Sequence, residues 1–289
     1  MRLIIGSAQF GKKYGIKKNK INNTDIGKIS NICLKNKIHL IDTAENYGES
    51  EKIIGKSSFK KFKIITKIII PKNLKNNDDL IFYLNNYIEK TLNKLKTKKI
   101  YSVLIHDISV FKTLNKNLII NFFHTLKKKK ILQYFGASVY SPQDVKFLLK
   151  FWKPDILQFP LNILDQRFVE NRFLNFLKKK NIILISRSVF LQGFLLQDLS
   201  RKKNFELKKF KKVVVNFDNW CKFKKISRLE ACIKFIKNFK NIDYSVIGFD
   251  NHMQLVDLIK VFKDKRNFRV SRKFKTKNLN LIDPRRWRI

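Results

Sequence analysis

YSVLIHDISVFKTLNKNLIINFFHTLKKKKILQYFGAS, residues 101–138, holds the unit from which the fold is read. It opens on a short apolar run, 101–105, of the length of a buried strand. A segment of helical length and apolar spacing follows at 118–130, and a second apolar run at 131–135. Working outward in both directions, the same alternation recurs. Further apolar runs stand at 3–5, 38–41, 62–65, 155–159, 182–185 and 244–247, which makes eight. Helix-period segments at 78–95, 142–151 and 168–180 separate several of them. Eight buried strands, each covered by a helix, predict an α/β protein, a closed (β/α)8 TIM barrel. The competing architecture, an open doubly wound sheet, usually carries G-x-G-x-x-G after its first strand, and this chain has none there. Nothing rich in Pro, Gly or Ser divides the chain, so residues 1–289 read as one domain. The third strand is expected to end near Lys67. Residues 195–217 read as a loop over the barrel mouth that runs into a helix, and 263–289 as a tail on the barrel surface.

Composition narrows the function. No apolar run reaches the roughly 18–20 residues of a membrane span, and the N-terminus turns polar too soon for a signal peptide. Cys33, Cys221 and Cys232 are odd in number and widely spaced, which suits reduced thiols in the cytoplasm and neither a disulfide framework nor a zinc loop. The net charge of +41 points first to nucleic acid. However, 51 of the 63 basic residues are Lys, and Asn, Ile and Phe are equally swollen. All four have codons rich in A and T, so drift in base composition accounts for the charge. The basic residues are also spread along the chain, and no specific nucleic-acid partner is expected. The same drift makes the remaining small residues informative. Three of the four Ala and most of the nine Gly fall in a few segments, among them SAQFG, DTAENYG and GASVY. Small residues are needed where backbone turns tightly or approaches a ligand.

Active sites of such barrels lie at the C-terminal ends of the strands. The second run ends in Asp42, with Tyr47 five residues on; the third ends in Lys67 and the fourth in His106. Taken singly, each has a plainer reading: a helix cap, a packed aromatic, a solvated amine, a structural imidazole. Together, at three successive strand ends, they make a proton-transfer set. A free phenol has a pKa near ~10, too high for efficient acid catalysis at neutral pH. The Lys67 ammonium is expected to lower it, Asp42 to pair with Lys67, and His106 to orient a substrate oxygen. Tyr47 is then the proton donor.

At this point the chain resembles the aldo-keto reductases. The likeness rests on Gly6-Ser7-Ala8-Gln9-Phe10-Gly11, Asp42-Thr43-Ala44-Glu45-Asn46-Tyr47-Gly48, Thr66-Lys67 and Leu104-Ile105-His106-Asp107. It continues through Gly136-Ala137-Ser138, Gln158-Phe159-Pro160-Leu161-Asn162, residues 187–193 and Val246-Ile247-Gly248. The resemblance implies a (β/α)8 barrel that uses NADPH and an Asp, Tyr, Lys, His tetrad at Asp42, Tyr47, Lys67 and His106. It implies that Ser138 and Gln158 hold the nicotinamide amide, though Val139 replaces an Asn common beside the first. Ser188, Phe190, Gln192 and Gly193 would cradle the pyrophosphate, and Gly248, Asn251 and Gln254 the adenosine. Arg187 stands where many members carry a stacking aromatic. The 248–254 loop has no Lys or Arg for an adenosine phosphate, so NADH stands beside NADPH as a cofactor. No metal is implied. The phrase QFPLNILDQR, 158–167, resembles a bacterial subgroup associated with sugar or surface-polysaccharide metabolism.

The expected activity is therefore reduction of a small-molecule aldehyde or ketone, such as a sugar-derived carbonyl, by a cytoplasmic monomer. The mouth's positive field would favour an anionic substrate. The alternative is a nicotinamide-binding barrel of little turnover, a sensor or scaffold. The intact tetrad argues against that, because a binding protein needs no proton donor beside the nicotinamide.

Overall fold

The computed structural model describes residues 1–16, 18–170, 172–197, 211–266, 270 and 272–287. The eight apolar runs form eight strands: β1 (Arg2–Gly6), β2 (Leu40–Asp42), β3 (Lys63–Ile68), β4 (Ile100–Ile105), β5 (Leu132–Ser138), β6 (Ile156–Pro160), β7 (Ile183–Arg187) and β8 (Tyr244–Ile247). They close into a parallel barrel in chain order, β8 returning to β1. Helices α1 (Asn23–Lys35), α2 (Ser50–Lys56), α3 (Asn77–Leu95), α4 (Lys116–Lys128), α5 (Pro142–Leu148), α6 (Phe173–Lys179), α7 (Lys211–Phe223), α8 (Arg228–Lys237) and α9 (His252–Lys263) lie between and after them. Local sequence starts several of these helices. Asn76 and Asn115 accept from backbone N–H groups of the first turns of α3 and α4. Ser141 with Asp144, and Ser227 with Glu230, form capping boxes on α5 and α8. Among the described residues no helix is long and apolar enough to cross a membrane.

Side chains alternate along each strand, so a barrel has two cores. The larger, including Ile5, Ile41, Ile64, Val103 and Phe135, faces the helices. The smaller, Ile4, Leu40, Ile65, Leu104, Ile156, Ile185 and Tyr244, plugs the barrel itself. Counting two residues on from an inward-facing position of each strand, with Val246 as that position on β8 and Gly136 on β5, reaches the mouth. That count gives Gly6, Asp42, Lys67, His106, Ser138, Gln158, Arg187 and Gly248. The polar positions of the sequence are thus one inward layer, laid on an apolar plug.

β3 ends at Ile68, beside the expected end near Lys67, and Ile68 is buried and paired in register with Ile105. Elsewhere the structure departs from the expectations. The segment expected as helix over 142–151 is α-helical only to Leu148 and closes in a turn, Phe151 N–H donating to Leu148 O. Over 168–180 the α-helix begins at Phe173, after a 3-10 turn at Arg167–Val169. Within 195–217 a 3-10 turn at Phe194–Leu196 and the start of α7 are placed, while 198–210 lie outside the described residues. In the tail, Val270, Phe274, Leu281 and Ile282 are buried, and Thr276 N–H donates to Leu164 O. This packing carries Arg285 to the rim of the mouth.

Candidate active site

A cavity of about 920 Å³ opens at the C-terminal ends of the strands, and seven of the eight inward layer residues line it. Gln158 lies just beneath. Asp42 and Lys67 are 3% and 1% exposed, so each charge must be answered locally. Lys67 Nζ donates to Asp42 Oδ2 at 2.6 Å and to Thr43 O at 2.9 Å, and Gln158 Nε2 donates to Asp42 Oδ1 at 2.7 Å. Asp42 therefore joins β2, β3 and β6 across the barrel.

Tyr47 is placed by the turn that follows β2. Gly48 has φ +58, and a Cβ there would come within 2.7 Å of Gly11 O. At Gly11 the fit is tighter still: a Cβ would lie 1.9 Å from Tyr47 O and 2.3 Å from Ser50 N. SAQFG and DTAENYG are thus two faces of one backbone contact. Hydroxyls lock it: Thr43 donates to Ser50 Oγ, Ser50 to Ser7 Oγ at 2.7 Å, and Ser7 to Asp42 O at 2.9 Å. The Tyr47 ring ends 5.2 Å from Lys67 Nζ, measured to the ring centroid.

The expectation that Lys67 tunes this phenol downward is corrected here. Burial raises the Tyr47 pKa above its ordinary value, the nearby Asp42 charge raises it further, and Arg187 only partly opposes them. The positive charge of Lys67 is spent on Asp42. Its own pKa is lowered by burial, with Asp42 pulling the other way. Tyr47 is therefore a firmly protonated phenol. His106 also lines the cavity, and burial together with the Lys67 and Arg187 charges pulls its imidazole down to about 3. It is a neutral ring, able to donate one hydrogen bond and accept another.

The remaining wall meets the demands of a nicotinamide cofactor. Ser138 Oγ and Gln158 Oε1 are buried without a hydrogen-bond partner among the described residues, two polar atoms that a carboxamide would satisfy. Ser188, Phe190, Gln192 and Gly193 all line the cavity. Ser188, Leu191, Gln192 and Gly193 have positive φ, a backbone turned out of ordinary conformations to follow the wall. Gly248 and Gln254 line the wall after β8. Asn251 does not; its side chain caps α9, accepting from Gln254 N–H. Thus, of the thirteen residues expected at the site, the structure brings eleven to the cavity wall, with Gln158 beneath it and Asn251 outside.

The wall also holds residues that were not among the expected site residues, Lys12, Tyr14, Tyr140 and Arg285 among them. Arg187, noted in the sequence only as a replacement, is another. Arg187 could have been found by counting two on from Ile185. Arg285 had no local signal, because its position depends on how the tail packs, and its neighbour Tyr140 lies far back in the chain.

The comparisons agree with this geometry. The fold matches that of an aldo-keto reductase from Bacillus halodurans in its holo form, at 16% identity and TM-score 0.74, over 94% of this chain and 90% of that one. It also matches a glycerol dehydrogenase from Gluconobacter oxydans at 19% identity and TM-score 0.70, over 99% and 92%. At such identities the likeness speaks for the fold. No curated protein shows a significant sequence match. The model of the aldo/keto reductase family matches residues 2–271. The chain belongs to the aldo/keto reductase family, oxidoreductases that use a nicotinamide cofactor.

Proposed function

We propose that this protein reduces an aldehyde or ketone to an alcohol with NADPH, and that Tyr47 delivers the proton. A sugar-derived carbonyl is the first substrate class to test, and NADH the cofactor to compare. The observation that carries the reading is the buried Asp42–Lys67 pair, at 2.6 Å, sharing one cavity with Tyr47 and His106. Ser138 and Gln158 would hold the nicotinamide amide, residues 188–193 the pyrophosphate, and Gly248 and Gln254 the adenosine side. Bound there, the cofactor supplies the hydride. The neutral His106 imidazole donates a hydrogen bond to the carbonyl oxygen and aims it. A phenol that stays protonated at neutral pH is held ready until the oxygen becomes an alkoxide, a base strong enough to take its proton. Lys67 and Asp42 keep the floor beneath Tyr47 rigid and polar.

Tyr47→Phe removes one hydroxyl and leaves the ring in its turn. Turnover of the best carbonyl should fall roughly 10²–10⁴-fold, with NADPH binding by fluorescence little changed. Turnover equal to wild type would remove Tyr47 as the acid. Cofactor binding without turnover of any carbonyl by the wild type would favour the sensor reading.

A further inference from the structure

We propose that Lys12 and Arg187 bind an anionic group of the substrate, a carboxylate or a phosphate, and make the enzyme selective for negatively charged carbonyl compounds. This rests on the reductase reading above and adds the substrate's charge to it.

Among the described residues five cations line the cavity, and three of them are answered by a carboxylate. Lys67 meets Asp42, Arg228 meets Asp218 and Arg285 meets Asp283, each at 2.6 Å. Among the described residues no carboxylate lies within ion-pair distance of Lys12 or Arg187. Lys12 Nζ donates to Asn46 O at 2.9 Å and sits 5.3 Å from the centroid of the Tyr47 ring. Arg187 donates to Ser188 Oγ at 3.2 Å and, weakly, to Val139 O at 3.4 Å. A guanidinium carries five N–H donors in a planar fork, so most of this one remains for a ligand.

The fork is also held still. Arg187 stacks on Tyr140, its Cζ 4.3 Å from the ring centroid, and Arg285 covers the same ring at 3.4 Å. Arg285 is itself clamped by two bonds to Asp283, at 2.8 and 2.6 Å. The tail thereby fixes the platform on which Arg187 rests, and a preorganised donor loses less freedom on binding. Both cations act on the reacting centre: each depresses the His106 imidazole, and Lys12 is itself destabilised by partial burial. A neutral carbonyl leaves both charges partly dehydrated and unmatched. An anionic one meets them beside the proton donor.

The test compares matched carbonyls, 4-carboxybenzaldehyde against benzaldehyde and glyceraldehyde 3-phosphate against glyceraldehyde, by the ratio of kcat/KM within each pair. The two pairs separate a carboxylate from a phosphate. Charge-assisted hydrogen bonds predict a ratio of at least about tenfold for wild type in one pair. Lys12→Met and Arg187→Met should bring it toward one. Lys128→Gln, an exposed site at the far end of α4, should leave it unchanged. A wild-type ratio near one in both pairs overturns the proposal. So does a ratio that survives both substitutions, or an equal loss in Lys128→Gln, which would assign the preference to the overall field. If Arg187→Met and Lys12→Met weaken NADPH binding and leave the ratio alone, the cations serve the cofactor and the proposal fails. Should no carbonyl be reduced, the reductase reading is the one that fails. The anion site is then judged by fluorescence titration of the protein and NADPH with 4-(hydroxymethyl)benzoate and benzyl alcohol. Tighter binding of the benzoate by at least about tenfold supports it, and equal binding overturns it.

Discussion

The turn that carries Tyr47 and the opposite end of the barrel meet the same backbone problem with different residues. At the mouth, the left-handed turn after β2 uses Gly48, packed against Gly11. At the opposite end, where helices hand the chain to the next strand, the left-handed positions are Lys37 before β2, Lys96 before β4, Lys130 before β5 and Asn181 before β7. The difference is what surrounds the Cβ. Left-handed backbone alone costs a non-glycine residue about 1–2 kcal/mol, which a large core absorbs. A Cβ at Gly11 would instead overlap the carbonyl of Tyr47. Drift toward Lys has reached the positions where only strain is at stake, and glycine stands where atoms would collide beside the proton donor.

If the mouth is held by specific contacts, breaking its buried charge pair should have the largest effect. Lys67→Met leaves the Asp42 carboxylate buried with Gln158 as its only side-chain donor among the described residues. Removing one partner of a buried pair typically costs about 3–5 kcal/mol, so the urea midpoint should drop sharply. Turnover should fall with it. A midpoint within error of wild type would mean that water reaches Asp42 and that the floor is not sealed. Next in size, Gly11→Ala should cost more than about 2 kcal/mol, because backbone on both sides must move. Its loss of turnover should exceed any loss of cofactor affinity, since the displaced atom is Tyr47 O.

The eight strands were legible because each is a short apolar run, several with a helix-period segment beside them, and the strand ends then put Asp42, Lys67 and His106 at one mouth. The phenol's tuning was not. Sequence puts Lys67 near Tyr47, but whether its charge is free to act depends on Asp42 at 2.6 Å, a contact between strands. Gln158 was read as a cofactor ligand, and one end of its amide proves to be spent on Asp42, which leaves only Oε1. Asn251 sits in the right loop and faces the wrong way, since an Asn ahead of a helix is claimed by the backbone it caps. Tyr140, Lys12 and Arg285 gather from three distant parts of the chain. Spacing cannot reveal such a cluster.

A smaller effect separates the mouth from the rest of the surface by pH. His106 has a folded pKa near 3, below the ordinary imidazole value of about 6.5. Its neutral form is free of penalty above pH 6.5. As pH falls from there toward 3, the unfolded chain takes up a proton that the folded one refuses, and stability is lost. Between pH 7 and 5 the loss should be about 2 kcal/mol in wild type and should shrink in His106→Gln. Equal losses in both proteins would show a solvated imidazole and a mouth more open than the distances describe.

The smallest effect belongs to the far end and has the opposite sign. Lys96 ends α3 at φ 50, exposed, its N–H donating to Asn93 O and Leu92 O, while Thr97 N–H also reaches Leu92 O. Every one of those bonds comes from the backbone, so glycine can make them all. Lys96→Gly removes roughly 1–2 kcal/mol of left-handed strain and returns about 0.4–1 kcal/mol through the freer unfolded chain. The net is a gain of about 0.5–1 kcal/mol, or roughly 1–4 °C in Tm for a chain of this size. Turnover should not change, because the site lies across the barrel. A fall in Tm would mean that the Lys96 side chain is supporting structure, and the contrast between strained and colliding positions would lose one of its two ends.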